Sequence, residues 1–226
     1  MIPDFHTHID DGTGIVSMIP DQLSRAGGLL SPVSVGIHPW HTADEPLIER
    51  QLAMLPTLLD DSRVVALGET GIDTLKGASP ERQAEIMAQQ VALAEEKRLP
   101  VIVHAVRSLD RITALYDRLK PTTPWAIHGI TGRASQIEKL AERGIYMSVG
   151  PRTPDTVAAM IPDHLLLLET DSEPGRVKTL DEVIARVARA RNQSTDKLSA
   201  IVAANLGQLL QSHHHKIAFL KNQNTL

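Results

Sequence analysis

Residues 63–104 read RVVALGETGIDTLKGASPERQAEIMAQQVALAEEKRLPVIVH. The stretch opens on a short apolar run, Arg63 to Gly68, that ends in Glu69. Such a run, rich in Val and Leu and closed by Gly, reads as a buried strand. Ser79-Pro80 then supplies a helix start, with Ser as N-cap and Pro at the first helical position, and the helix runs to about Arg98. Pro100 to Val103 is a second apolar strand, ending in His104. Strand, helix, strand in this order is a crossover unit joining parallel strands.

The same alternation extends in both directions. Downstream, helix 109–119 leads to strand 124–127 and His128, helix 134–142 to strand 145–149, and short helix 156–160 to strand 165–168, which leads to Glu169-Thr170-Asp171. Thr179-x-x-Glu182 has the capping-box pattern and starts a helix to about Arg191; Ser194 caps a last one to about Ser212. Upstream, a helix from 45 to 59, disturbed at Pro56, follows strand 33–37 and His38-Pro39-Trp40-His41. Ahead of it lie a loop-like stretch at 20–32, the apolar run 15–19, and the opening strand Asp4-Phe5-His6-Thr7-His8. The linker between the first two strands is short and contains Asp11-Gly12, a hairpin signal, so that pair is expected to be antiparallel. Eight strands mostly separated by helices predict an α/β fold, a TIM-like (β/α) barrel trimmed and distorted in its first βα units. Residues 1–212 form this single unit, and 213–226 a C-terminal tail whose His213-His214-His215 reads as a solvated helix end.

Composition narrows the class. The hydrophobic share is 42% and the charged share 22%, the balance of a soluble globular protein. A net charge of −4 shows no basic bias, so contact with nucleic acid would need a local patch. With no cysteine, thiolate sites are excluded and His, Asp and Glu must do any metal work. No apolar run approaches the ~18 residues of a membrane span, and no signal peptide is evident, so a cytoplasmic protein is expected.

Alternation along the first strand puts His6 and His8 on one face, about 7 Å apart, close enough to grip one ion. Glu69, His104, His128 and Asp171 each follow a later apolar run. In a parallel barrel these strand ends converge on the face where active sites of this fold lie. Six ligand-type residues exceed one tetrahedral zinc and suit two divalent ions, zinc first, with magnesium, manganese or iron as alternatives. Glu69 is the expected bridge, His6, His8 and Asp171 completing one ion's set and His104 with His128 the other's. Such a pair activates a hydroxide near neutral pH and clamps a phosphoryl group. Asp171 would handle its proton, so Asp171 and Glu69 are the candidate catalytic residues. His38, Trp40 and His41 lie on the same expected face and are candidate substrate contacts, with Arg107 a candidate for phosphate. Asp73 reads as a turn residue, and Glu169 as an acceptor that orients a ligand His or pairs with a cation.

At DFHTHID (4–10), GIHPW (36–40), GETGID (68–73), PVIVH (100–104), IHGITG (127–132) and LLETDSEP (167–174), the chain resembles the TatD family of metal-dependent hydrolases. The resemblance runs almost end to end, with a weaker echo in ANLGQLL at 204–210. It implies the same six ligands for two divalent ions and hydrolysis of phosphoesters, as in a deoxyribonuclease acting on DNA or a nucleotide; no obligate protein partner is evident from the sequence. The chain departs from the family in the shorter stretch between His8 and His38, in Val106 where a basic residue is usual, in Gly129-Ile130 after His128, and in Glu173 after Ser172. Two other readings use the same residues: cleavage of a carboxyl ester or amide, as by a D-aminoacyl-tRNA deacylase, and a degenerate metal-binding interaction protein.

Overall fold

A computed structural model describes residues 2–210. Its strands are β1 (Asp4–Thr7), β2 (Gly14–Met18), β3 (Val33–Val35), β4 (Val64–Asp73), β5 (Val101–Val106), β6 (Trp125–Ile127), β7 (Tyr146–Val149) and β8 (Leu166–Leu168). They form one sheet in sequence order, and every neighbouring pair is parallel. The helices are α1 (Pro20–Leu23), α2 (Glu45–Leu58), α3 (Pro80–Lys97), α4 (Leu109–Leu119), α5 (Ala134–Glu142), α6 (Asp155–Met160), α7 (Leu180–Ala190) and α8, described over Thr195–Leu210. This is a nearly closed (β/α)8 barrel. Among the described residues no helix is long and apolar enough to cross a membrane. The expected tail, 213–226, lies outside the described residues.

Two apolar layers hold the barrel. Val33, Val35, Leu67, Val101, Val103, Ile127 and Leu168 face outward into the shell between strands and helices. Phe5, Ile15, Val65, Ile102, Ala126 and Leu167 fill the interior near the strand starts, closed from below by Leu206 and Leu209 of α8. Asn205 fastens that plug, donating to the carbonyls of Asp163 (2.7 Å) and Leu166 (2.8 Å). The period of two along a strand then aims the next inward residues, His104 after Ile102, His128 after Ala126 and Glu169 after Leu167, at the axis above the plug.

The seam between β8 and β1 is closed without a strand ladder. Asp171 N–H donates to His6 O (3.0 Å) and His8 N–H to Ser172 O (2.8 Å). Lower down, the Asp4 carboxylate accepts from Thr170 N–H (3.0 Å) and Thr170 O–H (2.5 Å). Burial raises the Asp4 pKa to about 6, against the lowering effect of those Thr170 bonds.

The front of the chain corrects the sequence reading. β1 and β2 are parallel, not a hairpin. A strand of four residues is only ~13 Å long, and an extended return of six residues, 8–13, reaches up to ~20 Å, so no helix is needed. Asp11 closes a local turn on Thr13 N–H (2.9 Å) and O–H (2.6 Å) rather than a two-residue hairpin. Asp10 ties the return to Leu30 N–H (3.0 Å) and Ser31 N–H (2.8 Å), just before β3. The 20–32 stretch holds one helical turn, α1. α2 runs past Pro56 to Leu58, because the proline falls in its last turn. Thr179 makes no side-chain cap, so the expected capping box does not form; the residue lines a surface cavity of about 250 Å³ beside β1 instead.

α3 locks β4 in place through two buried glutamines, two turns apart on one face. Gln90 accepts from Ile37 N–H (2.7 Å) and donates to Thr70 Oγ1 (2.6 Å), holding the residues beside His38 and Glu69. Gln83 accepts from Asp73 N–H (2.7 Å) and donates to Asp73 O (3.0 Å), Lys76 O and Ala78 O (both 2.8 Å).

Candidate active site

β4 does not stop at Glu69; it runs on to Asp73, with Glu69 set between two glycines. Gly68 (φ 133°) and Gly71 (φ 149°) adopt backbone that side chains rarely allow. A Cβ on Gly68 would sit 2.4 Å from Ile102 O, and one on Gly71 2.0 Å from His104 O. GETG therefore lets β4 press against β5 while presenting Glu69 to the axis.

Around Glu69 the donor atoms converge. Oε1 lies 2.6 Å from His104 Nδ1, 2.7 Å from His128 Nε2 and 3.2 Å from His38 Nε2, and Oε2 lies 3.4 Å from His6 Nε2. Asp171 Oδ1 is 3.9 Å from His6 Nε2 and 3.7 Å from His8 Nε2. The shift in register between Asp4 and Thr7 turns both histidines to this side. His6, Glu69, His104 and His128 are buried, while His8 and Asp171 are half-buried. All six residues expected as ligands therefore meet at the C-terminal mouth of the barrel.

Three overlapping groups have donor atoms within 4.8 Å of one another: His6, His8 and Asp171; His6, Glu69 and His128; and His38, Glu69 and His104. The first agrees with the division expected from sequence, and Glu69 recurs in the other two, as a bridge requires. His104 and His128 fall into separate groups, and His38 joins the set. Its position at the end of a strand was visible; its reach to Glu69 was not. A divalent cation fits this donor chemistry. His6 Nε2 is buried without a hydrogen-bond partner, yet it faces two carboxylates.

The electrostatics are those of a cation trap. Burial opposes charge on Glu69, but the facing His128 and His6 and hydrogen bonds from His104 and His128 hold its carboxyl well below the usual range. Burial likewise opposes charge on His128, and Glu69 and Glu169 reverse this and raise its pKa well above the usual value. Burial lowers His104, and burial with the neighbouring His6 lowers His8. His104 on β5 and His128 just past β6 each face a carboxylate beyond hydrogen-bond contact: Asp73 Oδ2 lies 3.5 Å from His104 Nε2, and Glu169 Oε1 3.5 Å from His128 Nδ1.

At the rim, the Arg152 guanidinium contacts Asp171 Oδ2 while remaining largely exposed. Trp40 is 47% exposed and carries the Lys76 ammonium 3.5 Å above its ring. The His41 ring is 6.1 Å from that of His38, and His41 is exposed, outside the metal-capable groups. Arg107 follows β5 with φ 52° and is exposed with no ion pair among the described residues. Asp73 is more than a turn residue: Oδ1 accepts from Leu75 N–H (2.7 Å), but Oδ2 accepts from the Trp40 indole (2.6 Å) and faces His104. Sequence reading missed this second role, and the only signal was that Asp73 lies four residues past Glu69 on one strand.

Imidazoles and carboxylates gathered at the C-terminal mouth of a parallel barrel define a metal-dependent hydrolase of the amidohydrolase-like class. The family model described as TatD related DNase matches residues 21–211, and the chain belongs to that family. It is 29% identical to the metal-dependent hydrolase YabD of Bacillus subtilis, an alignment covering 76% of this chain and 75% of that one. It is also 29% identical to the 3′-5′ ssDNA/RNA exonuclease TatD of Erwinia amylovora, with the same coverage, 76% and 75%. The crystal structure of YjjV, a TatD homologue from Escherichia coli K12, superposes with a TM-score of 0.76 at 25% identity, covering 93% of this chain and 98% of that chain.

Proposed function

We propose that the protein is a phosphodiesterase that uses two divalent ions, zinc first, to hydrolyse DNA or a nucleotide phosphoester. The observation that carries this reading is the placement of Glu69 among His6, His38, His104 and His128, with His8 and Asp171 alongside. One carboxylate with both oxygens facing imidazoles suits a shared bridge between two ions. His6, His8 and Asp171 would hold one ion, and His104 and His128 the other, with His38 beside them. Bound there, the ions would supply Lewis acidity toward a phosphoryl oxygen and acidify water near neutral pH.

The chain's own residues do the rest. Asp171 turns Oδ1 toward His6 and His8, and its outer oxygen, Oδ2, paired with Arg152, becomes free to accept the proton of a water when that guanidinium turns to the substrate phosphate. Arg152, already against that oxygen, and Arg107 bind phosphate at the rim. Trp40, with Lys76 over one face of its ring, offers the opposite face for a nucleobase to stack, with a cation close by for its phosphate. His38 meets that ring edge-on, centroids 4.9 Å apart, and His41 lies beyond His38. The name of the Erwinia relative, an exonuclease of single-stranded DNA and RNA, supports the nucleic-acid choice.

The test is elemental analysis with activity assays on bis(p-nitrophenyl) phosphate, end-labelled single-stranded DNA and an aminoacyl-tRNA. About two metal equivalents, lost to chelator together with phosphodiester cleavage, are expected. Glu69→Ala and Asp171→Ala should abolish turnover without altering the circular dichroism spectrum. Normal turnover in both variants would refute the assignment, and preferential cleavage of the aminoacyl ester would redirect it.

A further inference from the structure

Asp73 stands where the metal-capable cluster meets the rim. It is 3% exposed, and its backbone is pinned on both sides by Gln83 of α3, which takes its N–H (2.7 Å) and its carbonyl (3.0 Å). Its two oxygens do different work. Oδ1 closes the turn onto Leu75. Oδ2 is placed between the indole N–H of Trp40 at 2.6 Å and Nε2 of His104 at 3.5 Å. The opposite nitrogen of His104, Nδ1, faces Glu69 at 2.6 Å. Nε2 makes no hydrogen bond at that distance, but the carboxylate facing it favours the tautomer that carries its proton there and leaves the Nδ1 lone pair for a cation. The same acceptor holds an aromatic side chain that is 47% exposed at the cleft edge.

We propose that Asp73 is a positioning residue shared by the metal centre and the substrate rim. Through one oxygen it fixes His104 for the second ion and sets the placement of Trp40. Occupation of the metal centre and the seating of Trp40 are then linked, and by reciprocity a substrate that seats Trp40 strengthens the hold of His104 on its ion. The proposal rests on the two-ion reading above, and it assigns that reading a connection between ion and substrate that the ligand set alone does not contain.

The chain has two tryptophans, Trp40 and Trp125, so intrinsic emission isolates the first. Trp125 is buried against Tyr116, ring centroids 5.1 Å apart, and a Trp40→Phe variant supplies its signal alone. The experiment titrates zinc into chelator-stripped full-length protein, recording emission and, by competition with a chromophoric chelator, the equivalents bound. In the wild type, the emission attributable to Trp40 should shift as the second equivalent binds. Asp73→Asn keeps an Oδ1 acceptor for the Leu75 turn but removes the anion from between His104 and Trp40. It should weaken one of the two zinc ions about 10–100-fold, leave the other within about threefold, and uncouple the emission from zinc. Two equivalents bound with wild-type affinity in Asp73→Asn would overturn the proposal while leaving the two-ion reading intact. So would a Trp40 signal in the wild type that ignores saturating zinc, an outcome that does not depend on whether the variant folds. A wild-type protein that takes up no zinc would overturn both.

Discussion

Gln90→Met removes three hydrogen bonds and almost no volume. The amide is fully buried and accepts from Ile37 N–H (2.7 Å), donates to Thr70 Oγ1 (2.6 Å) and reaches Ile37 O (3.3 Å). Ile37 and Thr70 are each 1% exposed, so water cannot replace the amide. The variant leaves two buried polar sites unpaired, at about 1–3 kcal/mol each, for a total loss of about 2–6 kcal/mol. For a chain of this size that corresponds to a fall in Tm of roughly 5–15 °C. Urea denaturation should show a lower midpoint at an unchanged slope. Adding Thr70→Val to Gln90→Met removes one of the unpaired groups and should recover about 1 kcal/mol, a coupling that a double-mutant cycle isolates. Because Thr70 adjoins Glu69, the single variant should also release zinc more readily than the wild type. A stability loss below about 0.5 kcal/mol would refute the argument that α3 holds the Glu69 strand through this amide.

Asp4 gives a pH signature. Its pKa rises from 3.8 unfolded to about 6 folded, chiefly through burial, so the native state keeps the proton longer than the unfolded one does. Its favourable contribution is complete below pH 3.8, declines as pH rises to about 6, and is gone above that. Asp4→Asn should therefore be up to about 3 kcal/mol more stable than wild type at pH 7–8, the gap closing near pH 4. Chemical denaturation of metal-free protein across that range checks this, and a difference independent of pH would contradict it. Gly71→Ala places a Cβ 2.0 Å from His104 O at φ 149°. It should cost about 3 kcal/mol or more and lower zinc retention, as thermal melts and metal analysis would read; a melt like the wild type's would show that β4 and β5 can part freely. Arg152→Ala should raise KM for a phosphodiester about 3–10-fold with kcat less affected, if the guanidinium meets phosphate; an unchanged KM in steady-state kinetics would remove it from the substrate contacts.

The barrel and the convergence of its candidate ligands were legible because two signals with different periods coincide. Apolar runs such as VVALG and VIV mark strands, the capped helix at Ser79-Pro80 marks a crossover, and a ligand-type residue follows run after run. Parallel order then forces those residues to one mouth. What was not legible depends on local geometry that residue types do not encode. Asp11-Gly12 signals a hairpin, but whether a four-residue strand returns parallel depends on the tether from Asp10 to Ser31, far along the chain. Strict alternation would have put Asp4 on the same face as His6; the register shift separates them, so Asp4 serves the seam and His6 the cluster. Asp73 and His38 owe their roles to contacts of 2.6–3.5 Å with residues more than thirty positions away, and no spacing rule reports such distances.

The short front of the barrel holds its share of the candidate ligand cluster without a crossover helix, and the seam explains why. In a complete barrel the first and last strands are joined by a ladder and covered by helices. Here His6 and Asp171 are bonded backbone to backbone, His8 and Ser172 likewise, and these are the ligand candidates themselves or their neighbours. The spacing of His6, His8 and Asp171 is thus set by bonds within the group, reinforced by Asp4 against Thr170 just below. No helix between β1 and β2 enters that arrangement; the short connection borders the outer wall and the cavity beside β1. The cluster's other half is fixed independently, by α3 through Gln83 and Gln90. The short connection from β1 to β2 therefore shapes the outer wall and leaves the candidate donor atoms to the seam and to α3.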